Sequence, residues 1–158
     1  MSARLILAVA ITLGLTPIVH AEAASPMQEI AAANPLIKAS TLEFQYPPFD
    51  QLKDEHYAPA IEQGMREQLA EVAAIANQKD APTFDNTIVA LEKTGALFNR
   101  ATTVFFNLAG TVTNDAMNKI RADVAPKLAA HLDAILLNDA LFQRVKSLQD
   151  RKAELKLD

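Results

Sequence analysis

The chain has 158 residues, with 15 Lys and Arg against 19 Asp and Glu and a formal net charge of -4. It contains no cysteine, which excludes disulfides, thiolate metal sites and cysteine nucleophiles. Because the net charge is negative, the chain does not attract the negatively charged phosphate backbone, and nucleic acid is not expected as a partner. Few glycines and many Ala, Leu, Glu and Lys favour one all-α domain, long enough to bury a core.

Residues 1–24 have the pattern of a secretory signal peptide. Arg4 gives a positive start, Leu5–Leu15 is an uncharged apolar run, and small residues follow at Ala21–Ala24. The run is too short to span a bilayer. We expect cleavage near Ala21–Ala24 and a bacterial protein that is periplasmic or secreted and leaves the membrane after cleavage. The alternative is a cytoplasmic chain with an apolar N-terminal helix.

Residues 25–53 are expected to form a flexible lead-in and an extended arm. Ser25–Lys38 is rich in alanine and only weakly patterned. Ser40–Asp50 alternates large apolar side chains and then reaches Pro47–Pro48, which favours extended backbone. No second strand is indicated, so we expect the arm to lie on the helices. Its alternating side chains are Leu42, Phe44 and Tyr46.

The remaining residues, 54–158, read as a helical domain organised around a helix over Ala81–Gly110. Thr83 can cap that helix, Asp85 suits its positive end, and Gly110 is suited to end it. Its apolar arc covers about 200°, roughly twice that of an ordinary surface helix. We therefore expect it to have neighbours on more than one side. Gly95 lies inside this arc and would let another backbone approach closely.

Three further helices are predicted at Asp54–Asn77, Asp115–Leu137 and Asp139–Lys152. The first has only a narrow apolar stripe and is expected to be peripheral. Thr113 or Asn114 can cap the second, Pro126 should kink it, and Asn138 can cap the third. Short connections favour an antiparallel helical bundle with an extended N-terminal arm. In the last two helices the side chains expected inside are Met117, Ile120, Val124, Leu128, Ile135, Leu141, Phe142, Val145 and Leu148.

The histidines give little support for a metal site. His20 lies in the predicted signal peptide, which leaves His56 and His131. His56 has Glu55 beside it and Glu62 nearby, but two histidines on separate helices with unplaced carboxylates are weak evidence for a metal. We expect His56 at the surface and His131 half-buried and hydrogen-bonded.

Other catalytic patterns are missing from the sequence. It has no HExxH zinc motif, its serines lie in no nucleophile elbow, and its four glycines form no phosphate-binding loop. Asp85 and Asp139 are explained as charges at helix starts. Phe98, Phe105 and Phe106 are expected in the core. We therefore predict no catalytic, cofactor-binding or metal-binding residue in this chain.

Three collinear stretches carry a resemblance to a known family. They are NPLIKASTLEFQYPPFDQLKDEHYAPAIEQGMREQLAEVAAIAN, APTFDNTIVALEKTGALFNRATTVFFNLAG and VAPKLAAHLDAILLNDALFQRVKSL. In this order they resemble the N-terminal region of the thimet-oligopeptidase family of zinc metallopeptidases. The likeness is greatest to its bacterial peptidyl-dipeptidase, or dipeptidyl carboxypeptidase, branch, with oligopeptidase A next. It covers about Asn34 to Leu148.

The resemblance implies a larger exported enzyme that removes dipeptides from the C-termini of short peptides. In that family a HExxH helix far downstream binds zinc, its Glu activates water, and the N-terminal helices form part of the wall of a deep channel. This sequence stops at Asp158 without that motif, so no zinc ligand or general base is carried over. We expect a fragment that needs its missing catalytic domain and is inactive alone. The alternative is a free-standing exported helical module that binds peptides or acts as a chaperone.

Overall fold

The computed structural model describes residues 34–155, and most of this range is helical. There are four long helices: α1 (Asp54–Ala76), α2 (Ala96–Thr111), α3 (Asp115–Leu136) and α4 (Asp139–Asp150). Between α1 and α2 lies a short helix, in which a π-helical stretch, Phe84–Val89, continues into one α-helical turn, Ala90–Glu92. Residues 34–155 contain no strand, which confirms the all-α prediction. The predicted signal peptide lies outside the described residues.

Polar side chains fix the helix starts as predicted. Asn114 Oδ1 accepts a hydrogen bond from the backbone N–H of Met117 at 2.8 Å, and Asn138 Oδ1 accepts one from Leu141 at 2.9 Å. Thr83 Oγ1 accepts from the backbone N–H of Asn86 at 3.1 Å, and the Asn86 side chain accepts from Thr83 N–H in return. Each cap satisfies a first-turn N–H that would otherwise have no partner.

Helix α1 lies at the centre of the fold, so the prediction that it is peripheral is wrong. It contacts α2, α3, α4 and the short helix. Its buried residues Ala60 and Ile61 are 0% exposed and pack with Phe105 of α2 and Val124 of α3. Further along, Val72 and Ile75 of α1 form a second buried cluster. The main cluster consists of Leu36, Tyr57, Ala60, Ile61, Met65, Ala101, Val104, Phe105, Ala109, Met117 and Val124.

Gly64 explains how a helix with a narrow stripe comes to lie at the centre. A Cβ atom at Gly64 would lie 2.6 Å from both the Cα and the backbone N of Phe98. The backbones of α1 and α2 therefore meet at this point, closer than any side chain would allow. The sequence predicts such a close approach at Gly95, whereas the structure places it at Gly64.

The predicted single helix over Ala81–Gly110 is broken, and this prediction is wrong in two places. Gly95 has φ 73 and ψ 27, a left-handed conformation, and α2 begins only after it. The backbone N–H of Gly95 donates to Glu71 Oε2 of α1 at 2.7 Å, which holds the break against α1. Gly110 lies inside α2, which continues to Thr111.

Residues 34–37 are hydrogen-bonded to the helices, and the stretch that follows them is not the extended arm lying on the helices that the sequence predicts. Asn34 Nδ2 donates to the backbone O of His56 at 2.6 Å. The Arg100 guanidinium donates to the backbone O of Leu36 at 3.0 Å and of Ile37 at 2.9 Å. These bonds fasten residues 34–37 to the start of α1 and to α2. Residues 25–33 lie outside the described range.

Residues 42–46 turn away from the helices. The three alternating side chains are exposed, by 51% at Leu42, 90% at Phe44 and 63% at Tyr46. The backbone is not extended here, because it forms 3-10 turns at Glu43–Gln45 and Phe49–Gln51. Pro47 and Phe49, at the end of the segment, line one side of a groove whose other side belongs to α2.

Helices α3 and α4 agree with the predicted bounds to within two residues. α3 is helical through Pro126. Within α4, Leu141 and Leu148 are buried as expected, but Phe142 is 56% exposed, so its inward placement is wrong. Arg144 takes a buried position on that face instead. None of the described helices has a stretch that is both apolar and long enough to cross a membrane.

Candidate functional site

The residues considered for a metal site are engaged elsewhere. His56 Nδ1 accepts a hydrogen bond from the backbone N–H of Lys53 at 3.1 Å, at the start of α1. Glu62 is paired with Lys127 of α3. Over residues 34–155, no three His, Asp or Glu side chains gather in a way that could hold a metal ion. That no residue of the chain carries catalysis remains a prediction.

One buried polar network joins α3 to α1 and to the break before α2. His131 is 4% exposed, and its Nε2 lies 2.8 Å from Gln68 Oε1. Gln68 Nε2 donates to Thr94 Oγ1 at 3.3 Å, and that hydroxyl donates to the backbone O of Leu91 at 2.8 Å. Since the Gln68 oxygen can only accept, the Nε2 of His131 carries a proton and donates it to this oxygen. The predicted hydrogen bond of His131 is confirmed, but the side chain is buried and not half-buried as expected.

The other side of the His131 ring has an apolar environment. The ring lies 4.8 Å from the ring of Phe98, centroid to centroid. Its Nδ1 is buried and has no hydrogen-bond partner among residues 34–155. Burial without an acceptor disfavours the charged imidazolium and lowers the pKa of His131. A neutral histidine of this kind stabilises helix packing, and within residues 34–155 burial alone, without a carboxylate, shifts its pKa.

A second network surrounds Arg144, which is 6% exposed. Its Nη1 donates to the backbone O of Gln78 at 3.2 Å and of Asp80 at 3.1 Å. Its Nη2 donates to Asn86 Oδ1 at 2.9 Å and to Thr87 Oγ1 at 3.3 Å. These neutral oxygens hold a buried guanidinium and tie the loop after α1, together with the short helix, to α4. Such a site fixes a loop, although the buried Nε of Arg144 has no hydrogen-bond partner among residues 34–155.

Among the open grooves on the described surface, two are mainly apolar. One, of about 240 Å³, lies between the end of the N-terminal segment and α2, and is lined by Pro47, Phe49, Thr103, Val104, Asn107, Leu108 and Thr111. The other, of about 190 Å³, lies between the short helix and α4, and is lined by Phe84, Ile88, Val145, Leu148, Gln149, Lys152 and Leu155. Both are mainly apolar and contain no histidine or carboxylate. Their composition is suited to contact with another polypeptide surface.

The aromatic cluster expected in the core is divided. Phe105 is 0% exposed and its ring packs 5.4 Å from that of Tyr57. Phe106 is 41% exposed, and Phe98 lies partly buried beside His131. Burial, and then the charge of Asp54, raises the pKa of Tyr57, so this phenol stays protonated.

The geometry does not identify the relatives of this chain, and comparison with known proteins does. Over 127 residues, which make up 80% of this chain, the sequence is 42% identical to the dipeptidyl carboxypeptidase of Salmonella typhimurium strain LT2. Over 125 residues, or 79% of the chain, it is 42% identical to the dipeptidyl carboxypeptidase of Escherichia coli strain K12. This chain is related to the bacterial dipeptidyl carboxypeptidases. The resemblance drawn from the three collinear stretches is thereby confirmed, and the thimet-oligopeptidase family is consistent with that name.

The match covers most of this chain but only a small part of each relative. The aligned residues are 19% of the Salmonella protein and 18% of the Escherichia coli protein, so the chain spans about a fifth of the length of the curated relatives that it matches. No protein-family model matches the chain. The likeness to the dipeptidyl carboxypeptidases therefore concerns one helical part of those proteins.

Sequence reasoning missed Arg144 and Gln68, the hubs of the two buried networks. Arg144 could have been found, because it lies three residues after Leu141 and four before Leu148, on the face that α4 buries. An arginine on such a stripe needs buried acceptors. Gln68 offered no comparable signal, since its role depends on where Thr94 and His131 lie in space.

Proposed function

We propose that this chain forms the N-terminal helical part of an exported zinc metallopeptidase of the dipeptidyl carboxypeptidase type, which releases dipeptides from short peptides. The observation that carries the proposal is the 42% identity over 127 residues to a protein of that name. An identity of this size along most of the chain supports common descent of this helical part.

In this proposal the chain contributes shape and leaves the chemistry to residues elsewhere. Peptide hydrolysis by zinc requires a metal held by three protein ligands and a carboxylate that activates water. The chain has no HExxH sequence, and its two histidines after the predicted signal peptide, His56 and His131, are committed to a helix start and to a buried network. The helices would act as scaffold and as part of the wall of the substrate channel.

Two further features belong to the same proposal. Export rests on the pattern of Arg4, the apolar run Leu5–Leu15 and the small residues Ala21–Ala24. Antiparallel packing of the helices rests on the short connections between α2 and α3 and between α3 and α4.

The test is a segment exchange. The 125 matched residues of the Escherichia coli dipeptidyl carboxypeptidase are replaced by their counterparts from this chain, and release of C-terminal dipeptides from a short peptide is measured by mass spectrometry. We expect the chimera to retain activity that a chelator abolishes and zinc restores. The 158-residue chain alone should bind no stoichiometric zinc and release no dipeptide. A folded but inactive chimera, or zinc-dependent activity of the chain alone, would overturn the proposal.

A further inference from the structure

Helix α3 has two apolar faces, and the described part of the chain covers only one of them. Met117, Val124 and His131 form the buried face. At about 100° per residue, a second face lies roughly a third of a turn away. Its five side chains are all exposed, and we call them the α3 seam: Ala122, Ala125, Ala129, Leu132 and Leu136.

The spacing of the α3 seam indicates what would cover it. Its members are separated alternately by three and four residues, which is the heptad spacing of a helix that packs lengthwise against another helix. Leu132 is 51% exposed and Leu136 is 75% exposed, so two large apolar side chains are left in water at one end. Two more large apolar side chains are exposed beyond the end of α3: Leu137, directly after the helix, by 76%, and Phe142 in α4 by 56%.

The sizes along the α3 seam also constrain the partner. Alanines at the N-terminal half leave room for large side chains, whereas leucines at the C-terminal half fit opposite small ones, because packed layers pair large with small residues. An extended peptide repeats its side chains every two residues and would not match this spacing. The partner surface is therefore an amphipathic helix, with its larger side chains opposite Ala122, Ala125 and Ala129.

We propose that the α3 seam docks a helix from the part of a dipeptidyl carboxypeptidase that lies outside the residues matched by this chain, a proposal that rests on the proposed function. Relatives 42% identical to the chain carry it within a polypeptide about five times as long as the match, which is 19% of one relative's length. That additional polypeptide has to pack against this helical part, and burying the seam removes leucine side chains from water.

The experiment compares two alanine-to-lysine changes on the same helix. Ala129→Lys places a charge in the middle of the seam. Ala130→Lys, the matched control, places it on the exposed third side of α3, away from both apolar faces. Both variants are made in the chimera of Escherichia coli dipeptidyl carboxypeptidase described above and in the 158-residue chain. Thermal unfolding and peptidase activity are measured.

We expect Ala129→Lys to lower the Tm of the chimera by several degrees and Ala130→Lys to leave it unchanged, while neither variant changes the Tm of the chain alone. Equal Tm values for the two variants in the chimera would overturn the proposal. A chimera that is inactive but still distinguishes the variants would overturn the proposed function and leave the docking site standing. An active chimera in which the two variants have equal Tm values would overturn the docking site and leave the proposed function standing.

Other occupants give different results. If the chain alone is a dimer in analytical ultracentrifugation and only Ala129→Lys dissociates it, the seam pairs with a second copy and the proposal fails. If Ala129→Lys destabilises the 158-residue chain but not residues 25–158, the N-terminal segment covers the seam, and the proposal also fails.

Should the chimera not fold, the tagged chain is mixed with the Escherichia coli enzyme lacking its matched residues. Binding that Ala130→Lys keeps and Ala129→Lys loses supports the proposal, and any other result overturns it.

Discussion

Helix α1 and the segment from Ala81 to Gly110 show that the width of an apolar stripe does not by itself decide which helix lies at the centre. α1 has a narrow stripe but contacts α2, α3, α4 and the short helix. The segment from Ala81 to Gly110 has a wide arc but is divided at Gly95 into two helices with different neighbours. A wide arc can arise when two shorter helices with different buried faces are read as one.

The two regions meet through small residues and backbone groups. Gly64 lets the backbone of α1 approach that of α2 at Phe98. Farther along α1, Glu71 accepts the backbone N–H of Gly95, and Gln68 bonds to Thr94. α1 therefore holds both the packing of α2 and the break that precedes it, and the following variants test this relation in order of expected effect.

The largest loss is expected from Phe105→Ala, where α2 packs on α1. Phe105 is 0% exposed and contacts Tyr57, so truncation should lower the free energy of unfolding by about 3–5 kcal/mol. Phe106→Ala is the control, because Phe106 is 41% exposed and should lose less than about half as much. Urea unfolding measures both. Similar losses at the two positions would mean that Phe105 is not the core contact between α1 and α2.

The next effect is expected at Gly64. A Cβ atom 2.6 Å from the backbone of Phe98 forces α1 and α2 apart, and Gly64→Ala should cost about 1–3 kcal/mol. Gly110→Ala is its control, since in the described part of the chain no atom beyond its own helix turn lies within 4 Å of a Cβ there, and alanine is favoured by about 0.5–1 kcal/mol inside a helix. Opposite signs are therefore predicted for the same substitution. A stabilising effect at both glycines would disprove the close approach.

Gly95 tests the break directly. Its φ of 73 disfavours a residue with a side chain, and Gly95→Ala should cost about 1–2 kcal/mol. Gly95→Asn should cost less, because asparagine tolerates the left-handed conformation. A continuous helix over Ala81–Gly110 predicts the reverse, with alanine stabilising by up to about 1 kcal/mol. The sign of the change in a thermal melt separates the two structures.

The smallest effect is a dependence of stability on pH from His131. Burial lowers its pKa in the folded state below the ordinary value near 6.5, whereas in the unfolded chain it titrates near that value. The unfolded state therefore binds the proton first, and stability falls as the pH drops below about 6.5 and through the folded pKa. Urea midpoints measured from pH 7.5 to pH 5 should show this loss.

His131→Gln is the matched variant for that measurement, because glutamine can donate to Gln68 but does not titrate. It should remove this part of the pH dependence, whatever its effect on stability at pH 7.5. The NMR titration of His131 supplies an independent reading, and a pKa at or above 6.5 would contradict the buried, neutral histidine.

Local chemistry explains why some predictions succeeded. The starts at Thr83, Asn114 and Asn138 were predicted because a cap joins a side chain to an N–H only two or three residues away. The inward placement of Phe142 failed because α4 buries only one narrow face, and Arg144 occupies the position beside Leu141 and Leu148.

The sequence by itself determined the helical class, the helix starts and the relation to the dipeptidyl carboxypeptidases, because composition, short-range hydrogen bonds and collinear identity all lie along the chain. Only the tertiary structure decided that α1 lies at the centre of the fold and that the helix is interrupted at Gly95. It also decided that His131, Gln68 and Arg144 form buried networks. Those features depend on distances between residues far apart in sequence. A glycine that admits a neighbouring backbone has the same appearance in the sequence as one that lies free in a helix.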